Sequence, residues 1–175
     1  MSKINHPMSD HQVTESPTLF SSETLERFME GRHLAVHELL GAHCRIEHLG
    51  DQLSEGVRFS VWAPNASAVS VIGDFNEWSG ERSPLEKIYH PNGTETGIWS
   101  TFVEGACQGQ LYQFQLHDGG GHLLPNKADP VARSAEIAPK RASRICASPH
   151  YQWSDQGWMS ERESRHRLDQ PMSIY

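Results

Sequence analysis

Apolar and polar residues alternate in two short runs near the middle of the chain, and this pattern organises the rest of the prediction. Within residues 56–78 the apolar positions are Val57, Phe59 and Val61, followed by Val69 and Val71. Alternation of this kind places the apolar side chains on one face of a strand. Between the runs, Ala63–Ala66 contains a proline and an asparagine, which favour a tight turn. We therefore predict a hairpin of a β-sandwich that delivers a large aromatic residue, Trp78, at its end.

The pattern before these runs predicts a helical lead-in. Ser22 can cap a helix in which Leu25, Phe28 and Met29 recur at helical spacing, and Gly31 is a natural stop. The following segment, up to about residue 53, has a mixed pattern that predicts no regular element. We expect it to pack across one end of the sandwich.

The pattern after residue 78 predicts further short strands separated by turns. Turn residues at 91–94 precede a strand from Ile98 to Val103. Residues 111–116 alternate again, with Tyr112, Phe114 and Leu116 on one face, and a glycine-rich turn follows. A last strand around 143–147 would close the sandwich. Short strands at regular spacing predict an all-β, immunoglobulin-like β-sandwich with an N-terminal helical segment and polar tails.

These elements divide the chain into four segments. Residues 1–21 are predicted to be a flexible tail, 22–53 a helical or irregular lead-in, 54–150 the β-sandwich, and 151–175 a linker or short surface helix. The first and last segments are polar and charged, which argues against a core in either.

Composition narrows the functional classes. The chain of 175 residues carries a net charge of −7, so no basic surface points to nucleic acid. It has no apolar stretch near the roughly 20 residues that span a membrane, and its N-terminus lacks the apolar core of a signal peptide. Three widely spaced cysteines are most simply reduced thiols. Together these observations predict a cytoplasmic protein without nucleic-acid or membrane partners.

Motifs for metal binding or catalysis are not found in the sequence. His33 and His37 are four residues apart, but Gly41 stands where a metallopeptidase motif starting at His37 needs its second histidine. No paired Cys-x-x-Cys completes a structural zinc site. The chain has 22 acidic residues, none in a motif that identifies a nucleophile or an acid. We predict no catalytic residue, no metal and no cofactor.

Several motifs, in a fixed order, carry a resemblance to a known family. The continuous motifs are Leu40–His43, Phe59–Ala66, Gly97–Trp99, Gly109–Tyr112, Asp129–Pro130 and Pro171–Tyr175. The spaced positions are Val69, Val71, Gly73, Phe75, Asn76 and Trp78, where residue 77 is not part of the motif. In these positions the chain resembles the N-terminal glycan-binding module of bacterial 1,4-α-glucan (glycogen) branching enzymes, of the carbohydrate-binding module 48 or isoamylase N-terminal type.

The resemblance implies a β-sandwich that precedes an α-amylase-type barrel and helps to hold or orient an α-glucan such as glycogen or a maltooligosaccharide. In that family the nucleophilic aspartate and the acid glutamate belong to the barrel, downstream of Tyr175. The motif at Pro171–Tyr175 looks like the start of the first barrel strand. We therefore expect a truncated front portion that has no transferase activity alone, and whose protein partner is the barrel domain.

The resemblance also suggests the residues that contact sugar. A tryptophan at position 78 would form part of the sugar platform, because a flat aromatic covers the apolar face of a sugar ring. Where glycan-binding relatives carry a lysine and a second tryptophan, this chain has Gln113 and, just after the turn, Leu123. Gln113 can still hydrogen-bond a hydroxyl, and Asn76 is either a ligand contact or a turn residue. The two departures argue against strong glycan affinity.

Three other aromatic residues are predicted to have a structural role. Trp62, Trp99 and Tyr112 lie in strand patterns, so we predict a role in the core or at an interface. The departures at Gln113 and Leu123 favour an alternative function, a structural interdomain packing unit with negligible glycan affinity, whereas Trp78 argues for binding. A further alternative is a remnant whose barrel is supplied by a separate polypeptide.

Overall fold

The computed structural model describes residues 19–147 and 153–165. The predicted flexible tail falls almost entirely outside these residues, as does the motif at Pro171–Tyr175. The described part contains seven strands: β1 Gly41–Leu49, β2 Gln52–Trp62, β3 Ala68–Gly73, β4 Glu86–Tyr89, β5 Glu95–Glu104, β6 Leu111–His117 and β7 Ser143–Arg144. The helices are α1 Ser22–Met29, α2 Val36–Leu39 and α3 Gln156–Arg165, and a 3₁₀ turn spans Asp74–Asn76.

The strands form two antiparallel sheets. The order is β1-β2-β5-β4 in the four-stranded sheet and β3-β6-β7 in the three-stranded sheet. This arrangement confirms the predicted all-β sandwich with an N-terminal helical segment. The alternation in β2 and β6 also behaves as predicted, because Phe59, Tyr112 and Phe114 are fully buried.

The main core lies between the two sheets. From one side it receives Val57, Phe59 and Val61 of β2, and from the other it receives Val69, Val71, Tyr112 and Phe114. Phe59 lies at the centre of an aromatic group, with its ring centroid 5.2 Å from Phe75 and 5.1 Å from Tyr112. Burying a side chain of this size stabilises the fold by about 1.5–3 kcal/mol.

The predicted hairpin between β2 and β3 is wrong. β2 pairs with β1 and β5, whereas β3 pairs with β6 in the other sheet. The turn at 63–66 therefore carries the chain from one sheet to the other. Alternation predicts which face of a strand is buried, but it does not predict the neighbouring strand. Because β2 and β3 face the same core from opposite sheets, their patterns look the same as those of a hairpin.

The irregular lead-in predicted up to residue 53 also needs correction. Residues 41–49 form β1, an edge strand that pairs along its whole length with β2. On the side of β1 that faces the second sheet, Ala42 contacts the core but Cys44 is exposed. The alternating positions hold a small residue, Ala42, and two exposed ones, Cys44 and Ile46, so the apolar signal of this strand is weak and the sequence analysis did not predict it.

Helix α1 begins at Ser22 as predicted, but its cap is Ser21. The Ser21 hydroxyl accepts a hydrogen bond from the Thr24 backbone N–H at 3.2 Å. Leu25 anchors the helix in a second, smaller core with Leu39, Leu40 and Ile98. Because Ile98 alternates with the inward-facing Trp99 on β5, this second core lies on the outer surface of the four-stranded sheet.

Candidate functional site

The outer surface of the three-stranded sheet carries the sequence-predicted sugar-contacting residues that lie on strands. Residues that alternate with the buried Tyr112 and Phe114 face outward, so Gln113 and Gln115 lie on this surface. Gln113 is directly opposite Ile72 of β3. Ile72 itself is only 2% exposed, and we call the surface defined by Gln113, Gln115 and His117 the β3–β6 face.

Trp78 lies at one end of this sheet, just after the 3₁₀ turn that ends β3. Its indole Nε1 donates to Asp74 Oδ1 at 3.2 Å, and 38% of the residue is exposed. The backbone at Glu77 and Trp78 has φ values of 56° and 59°, the left-handed region that non-glycine residues rarely adopt. Two consecutive residues held in this conformation fix the position of an aromatic side chain that remains partly open to solvent.

Asp74 positions Trp78, and the sequence analysis did not identify it. One carboxylate oxygen accepts from the indole, and the other accepts from the Leu111 backbone N–H at 2.8 Å. This side chain therefore joins Trp78 to the first residue of β6. Its position directly after a strand and a glycine was the available signal, because aspartate there often bonds nearby backbone.

Asn76 lies beneath the same turn and is 4% exposed. Its Oδ1 accepts from the Gly73 backbone N–H at 2.9 Å, while its Nδ2 donates to Val71 O at 2.9 Å and to Ser83 Oγ at 3.0 Å. These three bonds support the turn-residue alternative for Asn76. The side chain shapes the loop that carries Trp78.

Gln113 and Leu123 occupy different positions along β6. Gln113 is half-buried near the Trp78 end, whereas Leu123 is 58% exposed and forms an isolated bridge with His117. Four residues of strand separate Gln113 from His117, a distance of about 13 Å. The fold therefore brings Trp78 and Gln113 to one end of the sheet and leaves Leu123 toward the other.

The loop after Trp78 covers part of the face between these ends. A Cβ added at Gly80 would meet Gln115 Oε1 at 2.1 Å, so the loop lies directly against the end of the Gln115 side chain. What remains open is a short platform with one aromatic ring and an amide side chain. Such a surface can stack on a neutral ring and hydrogen-bond hydroxyl groups.

The three aromatic residues with a predicted structural role occupy different environments. Trp99 is 6% exposed and donates from Nε1 to Ala63 O at 3.0 Å. Tyr112 is fully buried in the core. Trp62 is 56% exposed on the outer side of the four-stranded sheet, edge-on to Phe28 at 6.5 Å between ring centroids. A side chain at Gly97, whose φ is +76°, would meet Trp62 Nε1 at 2.7 Å.

A buried polar pair lies beneath the sheet, away from the β3–β6 face. The Tyr112 hydroxyl donates to Asp129 Oδ2 at 2.5 Å, and Asp129 Oδ1 accepts from the Val131 backbone N–H at 2.9 Å. Burial raises the pKa of Tyr112, and the neighbouring Asp129 carboxylate raises it further. Burial also raises the pKa of Asp129, which the hydrogen bond from Tyr112 partly offsets. Both side chains have a structural role, since Tyr112 is fully buried and Asp129 is only 6% exposed.

Residues 19–147 and 153–165 contain neither a metal-binding cluster nor a membrane-spanning helix. No group of three or more histidine, cysteine or acidic side chains there is arranged to hold a metal ion. None of the helices in this part of the chain is long and apolar enough to cross a membrane.

Comparison with known proteins identifies a family. The family model for carbohydrate-binding module 48 (isoamylase N-terminal domain) matches residues 39–132. That range contains every strand from β1 to β6 and all four candidate sugar-contacting residues.

Full-length relatives extend the similarity over most of the chain. It is 44% identical over 94% of its length to 1,4-alpha-glucan branching enzyme GlgB 2 of Xanthomonas oryzae pv. oryzae, covering 22% of that protein. It is 46% identical over 90% of its length to GlgB 1 of Xanthomonas campestris pv. campestris, covering 20% of that protein. The chain thus spans about a fifth of the length of these relatives.

Solved structures show a looser similarity. The type I pullulanase of Bacillus subtilis str. 168, solved with maltose, is 19% identical over 66% of this chain and 14% of that protein, with a TM-score of 0.47.

Proposed function

The chain belongs to the carbohydrate-binding module 48 family, and we propose that it is a non-catalytic α-glucan-binding module of a 1,4-α-glucan branching enzyme in glycogen biosynthesis. In this proposal the β3–β6 face and Trp78 hold a glycogen or maltooligosaccharide chain. The family match and the names of the relatives support the assignment.

The conformation of Trp78 is the observation that carries the proposal. Trp78 is 38% exposed on a left-handed backbone, so part of its ring is held open to solvent at the end of the sheet. Its one ring donor is already bonded to Asp74. The ring face is therefore the part that offers contact to a ligand, and a sugar ring presents a matching apolar C–H surface.

The size of this exposed surface sets the expected affinity. If 38% of a large aromatic's roughly 150–250 Å² is covered, about 60–95 Å² leaves water. At about 25 cal/mol per Å², this contributes about 1.5–2.4 kcal/mol. Hydrogen bonds from Gln113 to hydroxyl groups add about 0.5–1.5 kcal/mol each, so binding is expected near the millimolar range.

Titration of the purified chain with maltoheptaose tests the proposal. Calorimetry follows binding, and intrinsic fluorescence reports on the tryptophans. Trp78→Ala should weaken binding about 10–50-fold, the ratio that corresponds to the covered area. Trp62→Ala is the matched control, since Trp62 is also an exposed tryptophan but lies on the other sheet. It should leave the affinity unchanged.

Two outcomes would contradict the proposal. One is the absence of any heat or fluorescence change at sugar concentrations well above the millimolar range. The other is saturable binding that Trp78→Ala does not weaken, because the sugar would then lie elsewhere.

The alternative function, an interdomain packing unit, is favoured by a different observation. Trp62 is exposed beside Phe28, and Met29 on the same helix is 42% exposed. This apolar surface suits contact with another protein domain, and a catalytic barrel domain is the partner we propose for it. A dye that fluoresces at exposed apolar surfaces should bind the chain, and Trp62→Ala should reduce the signal more than Trp78→Ala.

Two related expectations stay predictions. We propose that the purified chain has no branching activity, and recovery of that activity from it would refute this. We also propose a cytoplasmic location and no nucleic-acid partner, the latter in keeping with the net charge of −7.

A further inference from the structure

Asp74 is an exposed residue that borders the ring of Trp78. Its Oδ1 accepts a hydrogen bond from the indole Nε1 at 3.2 Å, and its Oδ2 accepts one from the Leu111 backbone N–H at 2.8 Å. The two bonds hold the carboxylate at the edge of the indole from two directions. The carboxylate therefore has a fixed position beside the proposed sugar platform.

The Asp74 carboxylate can accept further hydrogen bonds. An ionised carboxylate has two oxygens with about four lone-pair sites, and the indole and the Leu111 N–H use one site on each oxygen. Within residues 19–147 and 153–165, no lysine, arginine or histidine forms an ion pair with Asp74. The nearby Glu77 carboxylate, by contrast, is paired with Arg82 at 3.0 Å. Asp74 thus presents a negative charge with acceptor sites available next to the ring.

A sugar ring on the face of Trp78 supplies the matching donors. The apolar C–H surface of a glucose ring in van der Waals contact lies about 3.5–4.0 Å from the indole, and its hydroxyl groups project from the rim. Hydroxyls on the Nε1 side of the indole then lie beside the Asp74 carboxylate. A hydroxyl that donates to a carboxylate forms a charge-assisted hydrogen bond, about twice as strong as a neutral one.

We propose that Asp74 is a sugar contact of this chain, and that its carboxylate accepts hydrogen bonds from hydroxyl groups of the glucose unit stacked on Trp78. This inference rests on the proposed α-glucan function and adds a residue to that site. It gives the platform a charge-assisted bond although position 113 holds a neutral glutamine.

Asp74 and Gln113 lie on two sides of the same platform. Asp74 directly follows β3, and its partner Leu111 is the first residue of β6. Gln113 is two residues further along β6 on the same outward side, a distance of about 7 Å along the strand. A glucan chain that stacks on Trp78 can therefore bond the carboxylate from one glucose unit and the Gln113 amide from the same or the next unit.

Titration of the purified chain and its variants with maltoheptaose, followed by NMR, tests the contact. Asp74→Ala removes both acceptor oxygens and should weaken binding by about tenfold. Asp74→Asn keeps one acceptor oxygen without the charge and should weaken binding by about threefold. Asp118→Asn is the matched control, because Asp118 also accepts backbone hydrogen bonds in a surface turn but follows His117, toward the Leu123 end of the sheet. It should leave the affinity unchanged.

A Trp78→Phe background separates a direct contact from a positioning role. Phenylalanine keeps an aromatic face for stacking but has no N–H that Asp74 can hold. A direct contact predicts that Asp74→Asn still weakens binding by about threefold in this background. If Asp74 only positioned the indole, the second substitution would leave the affinity of the Trp78→Phe chain unchanged.

The outcomes distinguish this inference from the proposed function. Failure of the unchanged chain to bind maltoheptaose overturns both. Binding that Trp78→Ala weakens but neither Asp74 variant weakens leaves the α-glucan function in place and overturns the contact. Loss of the Asp74→Asn effect in the Trp78→Phe background makes Asp74 a positioning residue and also overturns the contact. Thermal melts show whether each variant folds, and Asp74→Asn decides the result if Asp74→Ala does not fold.

Discussion

Removal of one buried hydroxyl group gives a sharp test of the packing between the two sheets. Tyr112 is fully buried and Asp129 is 6% exposed, and the tyrosine hydroxyl donates to the carboxylate. Tyr112→Phe keeps the ring in the core but leaves Asp129 Oδ2 without that donor. A lost hydrogen bond to a buried charged group costs about 1.5–3 kcal/mol. This is a large fraction of the roughly 5–15 kcal/mol that stabilises a typical domain.

The cost should depend on pH. Burial raises the pKa of Asp129 above its ordinary value of 3.8, so its ionisation reduces stability as the pH rises through the folded-state pKa. The Tyr112 hydroxyl lowers that pKa by bonding the carboxylate. Its removal raises the pKa further and enlarges the cost of ionisation at neutral pH. Below the unfolded-state value of 3.8 the carboxyl is protonated in both states, and only the loss of a neutral hydrogen bond remains.

Urea unfolding at about pH 7.5 and about pH 4 measures both quantities. We expect Tyr112→Phe to lower the free energy of unfolding by about 2–3 kcal/mol at the higher pH and by about 1 kcal/mol at the lower. Tyr89→Phe is the control, because that residue is 50% exposed and its hydroxyl is 3.5 Å from Glu95. An equal loss at both pH values would refute the role of the Asp129 charge.

Two further predictions concern Asn76 and His43. Asn76→Ala removes three buried hydrogen bonds and should lower the free energy of unfolding by about 2–4 kcal/mol. Asn92→Ala is the control, because it removes one exposed hydrogen bond and should cost less than about 1 kcal/mol. Thermal melts of the two variants compare these losses. Burial lowers the pKa of His43 below 6.5, so folding resists its protonation and stability should fall as the pH drops below that value. Replacement by glutamine should flatten the dependence of the urea midpoint between about pH 7 and pH 5, and an unchanged slope would contradict this reasoning.

The sequence predicts strand faces better than strand partners. In β2 and β6 the apolar residues alternate strictly, and a period of two leaves one choice of buried face. The partner of a strand depends on the path of the chain, and a four-residue turn serves equally well within a sheet or between sheets. The connection at 63–66 takes the second path, so a local pattern that predicted β2 and β3 correctly predicted a hairpin that does not exist.

Edge position explains the strand that the sequence did not predict. β1 alternates Ala42, Cys44 and Ile46 with charged or polar residues, but only Ala42 contacts the core. An edge strand pairs through its backbone and can form without a continuous apolar face. The pairing with β2 stabilises it, and that pairing is not visible in a window of residues.

In the candidate site, the sequence predicted which residues are of a sugar-binding type but not which of them are exposed. Asn76 and Trp78 are two positions apart in one loop, and their residue types made both of them candidates for contact with sugar. The 3₁₀ turn directs Asn76 inward, where it makes three hydrogen bonds, and leaves Trp78 partly exposed. Asp74 stands directly after a strand and a glycine, which marks a turn residue, but this signal does not show that its carboxylate bonds the indole of Trp78.

Two exposed tryptophans on opposite sheets bear on the choice between the two functions. Trp78 stands at the end of the three-stranded sheet, while Trp62 lies on the outer side of the four-stranded sheet beside α1. Packed sheets are about 10 Å apart, so the core separates the two surfaces. A glucan at Trp78 would leave Trp62 free to contact a protein domain, and the two functions are therefore compatible. If both hold, Trp78→Ala should weaken sugar binding alone and Trp62→Ala should reduce only the exposed apolar surface.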